Sequence, residues 1–279
     1  MEYPKITKLY KYTSLSARSI SALVTGKLWL PKPNTLNDPF DCTIVNHSKG
    51  LLPSIEKKGR KTKASMDKLR PEKSAQSDFE RKIYSLHDKC LTTITEQDNE
   101  LMKMSEEAYS SLQSQIYNYG ILALSETSKN ILMWSHYGAH HKGICFEFER
   151  NETNKLGINA KPVTYSRFRE INNPDISDET RDLFFVKHSG WRYEREWRLL
   201  EIKGNELYEF PGKLTSVICG ALMPIQDIEA ITMIVESINA NRGDNISVKF
   251  AKMSEKNYSI SICKRQQKRL VAALALALA

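Results

Sequence analysis

The chain has 279 residues, 41% of them hydrophobic and 27% charged, which suits one substantial buried core and excludes an intrinsically disordered polypeptide. Forty-one Lys and Arg against 33 Asp and Glu give a formal charge of +8, a balance that favours acidic partners. Nothing reads as a signal peptide or bilayer-spanning run, and Cys42, Cys90, Cys145, Cys219 and Cys263 form no C-x-x-C pair, so the expectation is a cytoplasmic protein with reduced, mostly buried thiols.

From the start of the chain, the pattern predicts a strand over Ile6 to Tyr12, a helix over Leu15 to Thr25 closed by Gly26, and a strand over Lys27 to Leu30 ended by Pro31 and Pro33. Asn37, Asp38, Pro39, Phe40 and Asp41 then form a turn, because Asp38 precedes proline and Asn or Asp side chains bond nearby backbone. The two acids beside Phe40 equally suit a pocket rim. Residues 50–74 are polar, nonperiodic and basic, carrying Lys57, Lys58, Arg60, Lys61, Lys63, Lys68 and Arg70; Lys264, Arg265, Lys268 and Arg269 form a second basic cluster. Either cluster suits phosphate, but neither is interleaved with aromatic residues, so a solvated face fits as well.

Phe79, Ile83, Leu86 and Cys90, then Leu101, Met104, Ala108 and Leu112, recur at helical spacing. The stretch from about 49 to 118 therefore reads as a loop and helical insertion within a single α+β domain spanning 1–263. Beyond it the expected order is a strand over Ile121 to Ser125, a helix over Asn130 to His140, a strand over Gly143 to Phe148, and another strand near Tyr165. A helix from Ser177 toward His188, a strand over Glu194 to Ile202, a helix over Ile225 to Asn239, and strands over Ile246 to Ala251 and Tyr258 to Cys263 complete the domain. The tail, 264–279, is basic and then rich in Ala and Leu.

The densest chemistry lies between Trp191 and Glu201. In a strand, Glu194 and Glu196 project from one face while Arg195 points away. Two carboxylates meeting one ligand can stabilise a developing cation and orient a hydroxyl, as displacement at a sugar anomeric carbon requires. Alternating charges on an exposed edge strand give the same string. His136 and His140 are four apart and would share a helix face, but Tyr137 stands where a zinc helix carries Glu, Gly138 weakens the helix, and no third ligand has matching spacing. No metal is expected. Phosphate-loop, dinucleotide-binding and serine-nucleophile motifs do not occur.

Leu9-Tyr10-Lys11-Tyr12, Asn37-Asp38-Pro39-Phe40-Asp41, Met133-Trp134-Ser135-His136-Tyr137 with His141-Lys142-Gly143, Lys187, Trp191 and Tyr193-Glu194-Arg195-Glu196-Trp197-Arg198 together resemble a bacterial family catalogued as domain of unknown function 2971. The resemblance runs from Leu9 to about Gly220. Some members accompany mobile-element or phage-defence genes, which implies a defence or toxin–antitoxin setting with an antitoxin or other defence partner.

More distantly, the order of these pieces is similar to that of ADP-ribosyltransferases. This resemblance implies a mixed α+β fold with a split β-sheet, and NAD as substrate bound in the split. Lys11 stands where those enzymes carry His or Arg, and with Tyr12, Ser125, His136 and Tyr137 would bind NAD, Tyr137 stacking on nicotinamide. Glu196 would be the catalytic carboxylate, and Glu194 would position or deprotonate a macromolecular acceptor, a protein or nucleic acid. The rival expectation is a noncatalytic recognition module of a bacterial defence or toxin–antitoxin system, binding nucleic acid or a protein partner through the basic insertion and tail. As a separate structural alternative, Arg198 and Lys187 pair with Glu194 or Glu196 in a partly buried ion network. A glycosidase or nuclease using the same carboxylates is a third.

Overall fold

The computed structural model describes residues 3–43, 85, 89, 100, 103, 104, 106–168 and 183–264. The chain divides into two compact units, one made of Met1–Cys42 and Tyr117–Ala279, the other of Thr43–Ile116. In the second unit residues 106–116 are helical, but the buried positions there are Gln113 and Ile116, whereas Met104 and Ala108, expected on the apolar face, are exposed. The buried stripe thus runs one residue off the expected one. The basic segment at 50–74, the tail from 265 and Ser177 lie outside the described residues.

The first unit begins with strand β1 (Lys8–Thr13), helix α1 (Ala17–Thr25) and strand β2 (Lys27–Leu30). Local chemistry sets the ends of α1. Ser16 and Ser19 cap each other's backbone at its start, and Gly26 closes it in the left-handed region at φ 73°. After a 3-10 turn at Pro33–Thr35, and beyond the second unit, come β3 (Gly120–Ser125), α2 (Ile131–His136), β4 (Ile144–Glu149) and α3 (Lys155–Ile158). Then follow β5 (Lys161–Pro162), β6 (Thr164–Ser166), β7 (Val186–His188), β8 (Glu196–Glu201) and β9 (Glu206–Glu209). The order closes with β10 (Leu214–Cys219), α4 (Ile225–Arg242), β11 (Ser247–Met253) and β12 (Ile260–Cys263).

Eight strands form one mixed sheet in the order β12-β11-β10-β4-β1-β3-β8-β5, antiparallel except for the parallel pair β10 and β11, which α4 connects. β1 pairs with β4 along its whole length, yet meets β3 at one residue pair, Tyr10 with Ser125. The sheet is therefore two ladders joined at a point. Leu9, Leu122, Leu124, Phe146, Phe148, Val217, Trp197 and Leu199 cluster with Leu23 of α1 and Ile231 and Val235 of α4 to form the larger core. The opposite face carries Tyr12, Cys145 and Ile218, packed with Met133 and Trp134 of α2. Register places Ser125 opposite Glu196 and Ala123 opposite Arg198, so this second face also carries the charged residues of β8.

Several boundaries differ from the sequence expectation. α2 ends at His136, and Ala139, His140 and His141 all take positive φ, so His136 and His140 do not share a helix face. A Cβ on Gly138 would lie 2.7 Å from the Trp134 ring, so the chain turns there against a buried indole. Instead of a helix reaching His188, Leu183–Phe185 is a 3-10 turn and Val186–His188 a strand parallel to β6. The strand expected from Glu194 begins only at Glu196, since Ser189–Glu194 forms a 3-10 turn. β9 and β10 had no counterpart in the sequence expectation.

Two substitutions test the capping account. Gly26→Ala meets no atom within 4 Å, so its cost is the left-handed backbone alone, about 1 kcal/mol. Ser16→Ala removes a capping oxygen at a similar cost of about 1 kcal/mol. Urea denaturation should show both losses with unchanged m-values.

Candidate active site

The turn before β8 brings the two glutamates together, by a route other than strand alternation. Arg195 caps the 3-10 turn in the left-handed region (φ 46°, ψ 51°), reversing the chain between Glu194 and Glu196. The kink is held from several sides: Ser125 Oγ donates to Glu194 O at 2.6 Å, Asn130 Nδ2 to Tyr193 O at 2.8 Å, and Glu126 N to Arg195 O at 3.1 Å. The Arg195 side chain turns outward and pairs with Glu126 at 2.9 Å. Both carboxylates consequently meet one ammonium, Lys187 Nζ lying 2.6 Å from Glu194 Oε2 and 3.1 Å from Glu196 Oε2.

Arg198 supplies the second cation. Its Nε donates to Glu196 Oε1 at 2.7 Å, its Nη2 to Glu196 Oε2 at 3.1 Å, and its Nη1 and Nη2 form a fork on Asp41 at 2.8 and 2.5 Å. Nη1 also donates to Phe184 O at 2.6 Å. Tyr137 Oη donates to Glu194 Oε1 at 2.5 Å and accepts from Asn37 Nδ2 at 2.9 Å. The Trp191 ring lies 4.9 Å from Lys187 Nζ, adding a cation–π contact. The charged side chains are almost wholly buried: Glu194 is 3%, Glu196 5%, Asp41 4%, Lys187 6% and Arg198 0% exposed.

Burial and charge drive the two carboxyls apart. Burial alone would raise the Glu196 carboxyl, but Arg198 and then Lys187 outweigh it and hold it below the ordinary carboxylate range. Burial also raises Glu194, and there Lys187 and Tyr137 offset only part of the shift, leaving its carboxyl above the ordinary range. Lys187 itself is held above the usual ammonium range, because Glu196 and Glu194 together overcome the effect of burial.

Not every residue expected at the site converges on this cluster. Glu194, Glu196 and Tyr137 do, and Ser125 supports it from behind. His136 stays exposed on α2, with Nδ1 3.0 Å from Tyr193 Oη. Tyr12 Oη donates to Thr127 O at 2.7 Å and its ring meets Trp134 edge-on at 5.0 Å, so Tyr12 braces the loop after β3. Lys11 Nζ donates to Ala123 O at 3.0 Å, across the point where β1 and β3 part; burial lowers its ammonium, and Glu196 opposes that shift. Lys187, Arg198 and Asp41 are the centre of the cluster, where the sequence reading had them as partners or turn residues. Tyr165, whose Oη accepts from Glu196 N at 2.8 Å, carried no signal beyond its strand. Among the described residues, no group of three His, Cys, Asp or Glu is placed to hold a metal.

Residues 133–199 match the model of a family described as "Protein of unknown function (DUF2971)". That match spans α2 to β8 and so includes Tyr137, Lys187, Glu194, Glu196 and Arg198. No curated protein and no solved structure matches the chain.

Arg198→Met takes the guanidinium fork from buried Asp41 and leaves Glu196 with Lys187 alone, and should cost about 3–5 kcal/mol in urea denaturation. The pH dependence follows from the signs. Glu196, depressed in the fold, contributes stability that is lost as pH falls below the ordinary carboxyl range. Glu194, raised in the fold, contributes stability that is present below the ordinary carboxyl range and lost as pH rises through its folded value. Relative to the unaltered protein, Glu194→Gln should therefore fare progressively better as pH rises above that range; denaturation midpoints at a series of pH values measure the trend.

Proposed function

We propose that the chain is an NAD-cleaving enzyme of the ADP-ribosyl transfer class, with Glu194, Lys187 and Glu196 at its active centre. The observation that carries this reading is the pair of carboxylates, joined by one ammonium, whose environments push their protonation in opposite directions. Such a divergence is how one site obtains both a permanent anion and a group that holds its proton more readily. Glu196, held ionised, suits stabilisation of an oxocarbenium-like ribose as the bond to nicotinamide breaks and its electron pair leaves with the base. Glu194, with its raised carboxyl, suits removal of the proton from an acceptor nucleophile as the new bond to ribose forms.

Two further features support the reading. β1 and β3 part after a single residue pair, the kind of split sheet an ADP-ribosyltransferase-like fold would have, with Lys11 at the parting and Glu196 on the strand beyond. Tyr137, half-buried and bonded through its hydroxyl to Glu194, is an aromatic group suited to stacking on nicotinamide. The formal charge of +8 favours an acidic macromolecular acceptor, a nucleic acid or a protein bound to one.

A second reading has its own observation. All six carboxylate oxygens of Asp41, Glu194 and Glu196 accept from donors inside the protein, as in an ion network that only locks a fold. The chain would then be a noncatalytic recognition module binding through its basic segments.

Nicotinamide release from NAD by the purified protein, with and without bacterial lysate as acceptor, decides between them. Glu196→Gln, compared as protein shown to be folded by circular dichroism, should lower release about a hundredfold to a thousandfold, and Glu194→Gln should spare hydrolysis but reduce transfer by about a hundredfold to ten-thousandfold. Release unaffected by Glu196→Gln removes the catalytic assignment. Absence of release from a folded protein that does not bind NAD favours the recognition module.

A further inference from the structure

Trp134 and Trp197 are wholly buried in the two cores, but Trp191 belongs to neither core cluster. It lies on the 3-10 turn Ser189–Glu194, where three residues per turn set Trp191 and Glu194 on one side, and its ring accordingly lies 4.9 Å from Lys187 Nζ, the partner of Glu194. Tyr193 turns instead toward α2. Its ring centroid is 6.1 Å from that of Trp191 and 5.9 Å from that of His136, and His136 in turn meets Tyr137 at 6.3 Å. A band of rings thus runs from Trp191 through Tyr193 to His136 and ends at Tyr137, which bonds Glu194.

The band has a firm footing. Tyr193 and Tyr137 pack on the smaller core, His136 Nδ1 lies 3.0 Å from Tyr193 Oη, and Asn130 Nδ2 donates to Tyr193 O at 2.8 Å. Even so, Trp191 and Tyr193 are only half-buried and His136 is exposed. Trp191 and Tyr193 are inclined at 42° and Tyr193 and His136 at 74°, so none of the three is stacked flat on another and their contacts do not use up the ring faces. The charge around them has one sign. Residues 127–143 and 186–193, which supply the band and its supports, contain no Asp or Glu. Exposed Arg192 stands between Trp191 and Tyr193 in the chain, exposed Lys129 adjoins Asn130, and neither has an ion-pair partner among the described residues. Of the acids next to these segments, Glu126 is paired with Arg195 and Glu194 is buried.

We infer that this band is a binding surface for single-stranded nucleic acid, with bases stacking on Trp191, Tyr193 and His136 and phosphates paired by Arg192 and Lys129. Every base has a flat π-face, so rings hold a strand whatever its sequence, while the cations attract its backbone. Rings alternating with cations, rather than a contiguous apolar patch, fit a strand better than a protein surface. The binding stands without the NAD-cleaving reading; only the further step, that the strand so held is the acceptor, rests on that reading, because the band ends beside Glu194.

The test is fluorescence anisotropy of the full chain with labelled strands of about twelve nucleotides: oligothymidylate, oligouridylate and an abasic strand of equal charge. The better of the two base-bearing strands should bind at least about fivefold more tightly than the abasic one, and which of them it is tells whether DNA or RNA is preferred. His136→Ala and Tyr193→Leu, compared as proteins shown to be folded by circular dichroism, should each weaken that binding about fivefold or more and leave abasic binding unchanged. His136 is exposed at the end of α2, so its variant keeps the test decisive if Tyr193→Leu does not fold. Arg192→Ala should weaken both kinds of strand and make the dependence of log affinity on log salt shallower by about 0.7. Equal binding of base-bearing and abasic strands, or stacking variants without effect, would overturn the inference. So would normal binding by the band variants with loss of binding on changing Lys264, Arg265, Lys268 and Arg269 to Ala, which places the strand on the tail. If a strand binds by stacking and no nicotinamide is released from NAD with or without it, the enzymatic reading fails and the surface stands; if nicotinamide is released and no strand binds, the surface fails alone.

Discussion

The Lys187 ammonium and the Arg198 guanidinium sit among three buried carboxylates, and the arrangement of this end of the molecule follows from keeping those charges paired. A carboxylate removed from water without a partner is far too costly for a marginally stable domain to hold. Glu194 and Glu196 flank one turn and Asp41 comes from a distant one, and each needs its cation at hydrogen-bonding distance. The left-handed residue Arg195 and the 3-10 turn before it serve that requirement by bringing both glutamates to Lys187.

The same pairing gives the site its chemical asymmetry. Glu196 faces both cations and is held ionised, whereas Glu194 faces one cation and a phenol and retains its proton more readily. One network therefore anchors β8 to the turn at residues 37–41 and sets two like residues apart in how readily they hold a proton. Stability and the protonation of the two carboxyls cannot be separated cleanly here, because removing either cation disturbs both.

The sheet provides the setting. A full β1–β4 ladder fixes one half, the β3–β8 ladder fixes the other, and a single pair between Tyr10 and Ser125 joins them. Lys11 spends its ammonium on the Ala123 carbonyl across that joint. On one face the halves share a continuous apolar core with α1 and α4, which keeps the sheet together despite the weak seam. On the other face aromatic packing gives way to the charges of β8.

Much of this was legible in the sequence. The strand β2, the Gly26 cap and the turn at Asp38 are local events, governed by proline, glycine and short polar side chains acting on neighbouring backbone, so residue order alone determined them. The pairing of Glu194 with Glu196 was also visible, although for a reason the backbone does not follow. They converge because Arg195 takes a left-handed conformation, and that conformation is stabilised by Ser125 and Asn130, which are distant in the chain. His136 and His140 show the opposite case: helical spacing suggested a shared face, but packing of Trp134 against Gly138 ended the helix first. Only the tertiary structure decided that Asp41 reaches Arg198 across 157 positions and that Asn37 bonds Tyr137. Local propensity carries no record of such long-range charge pairing, because it arises when burial removes water and leaves each ion to find its partner within the fold.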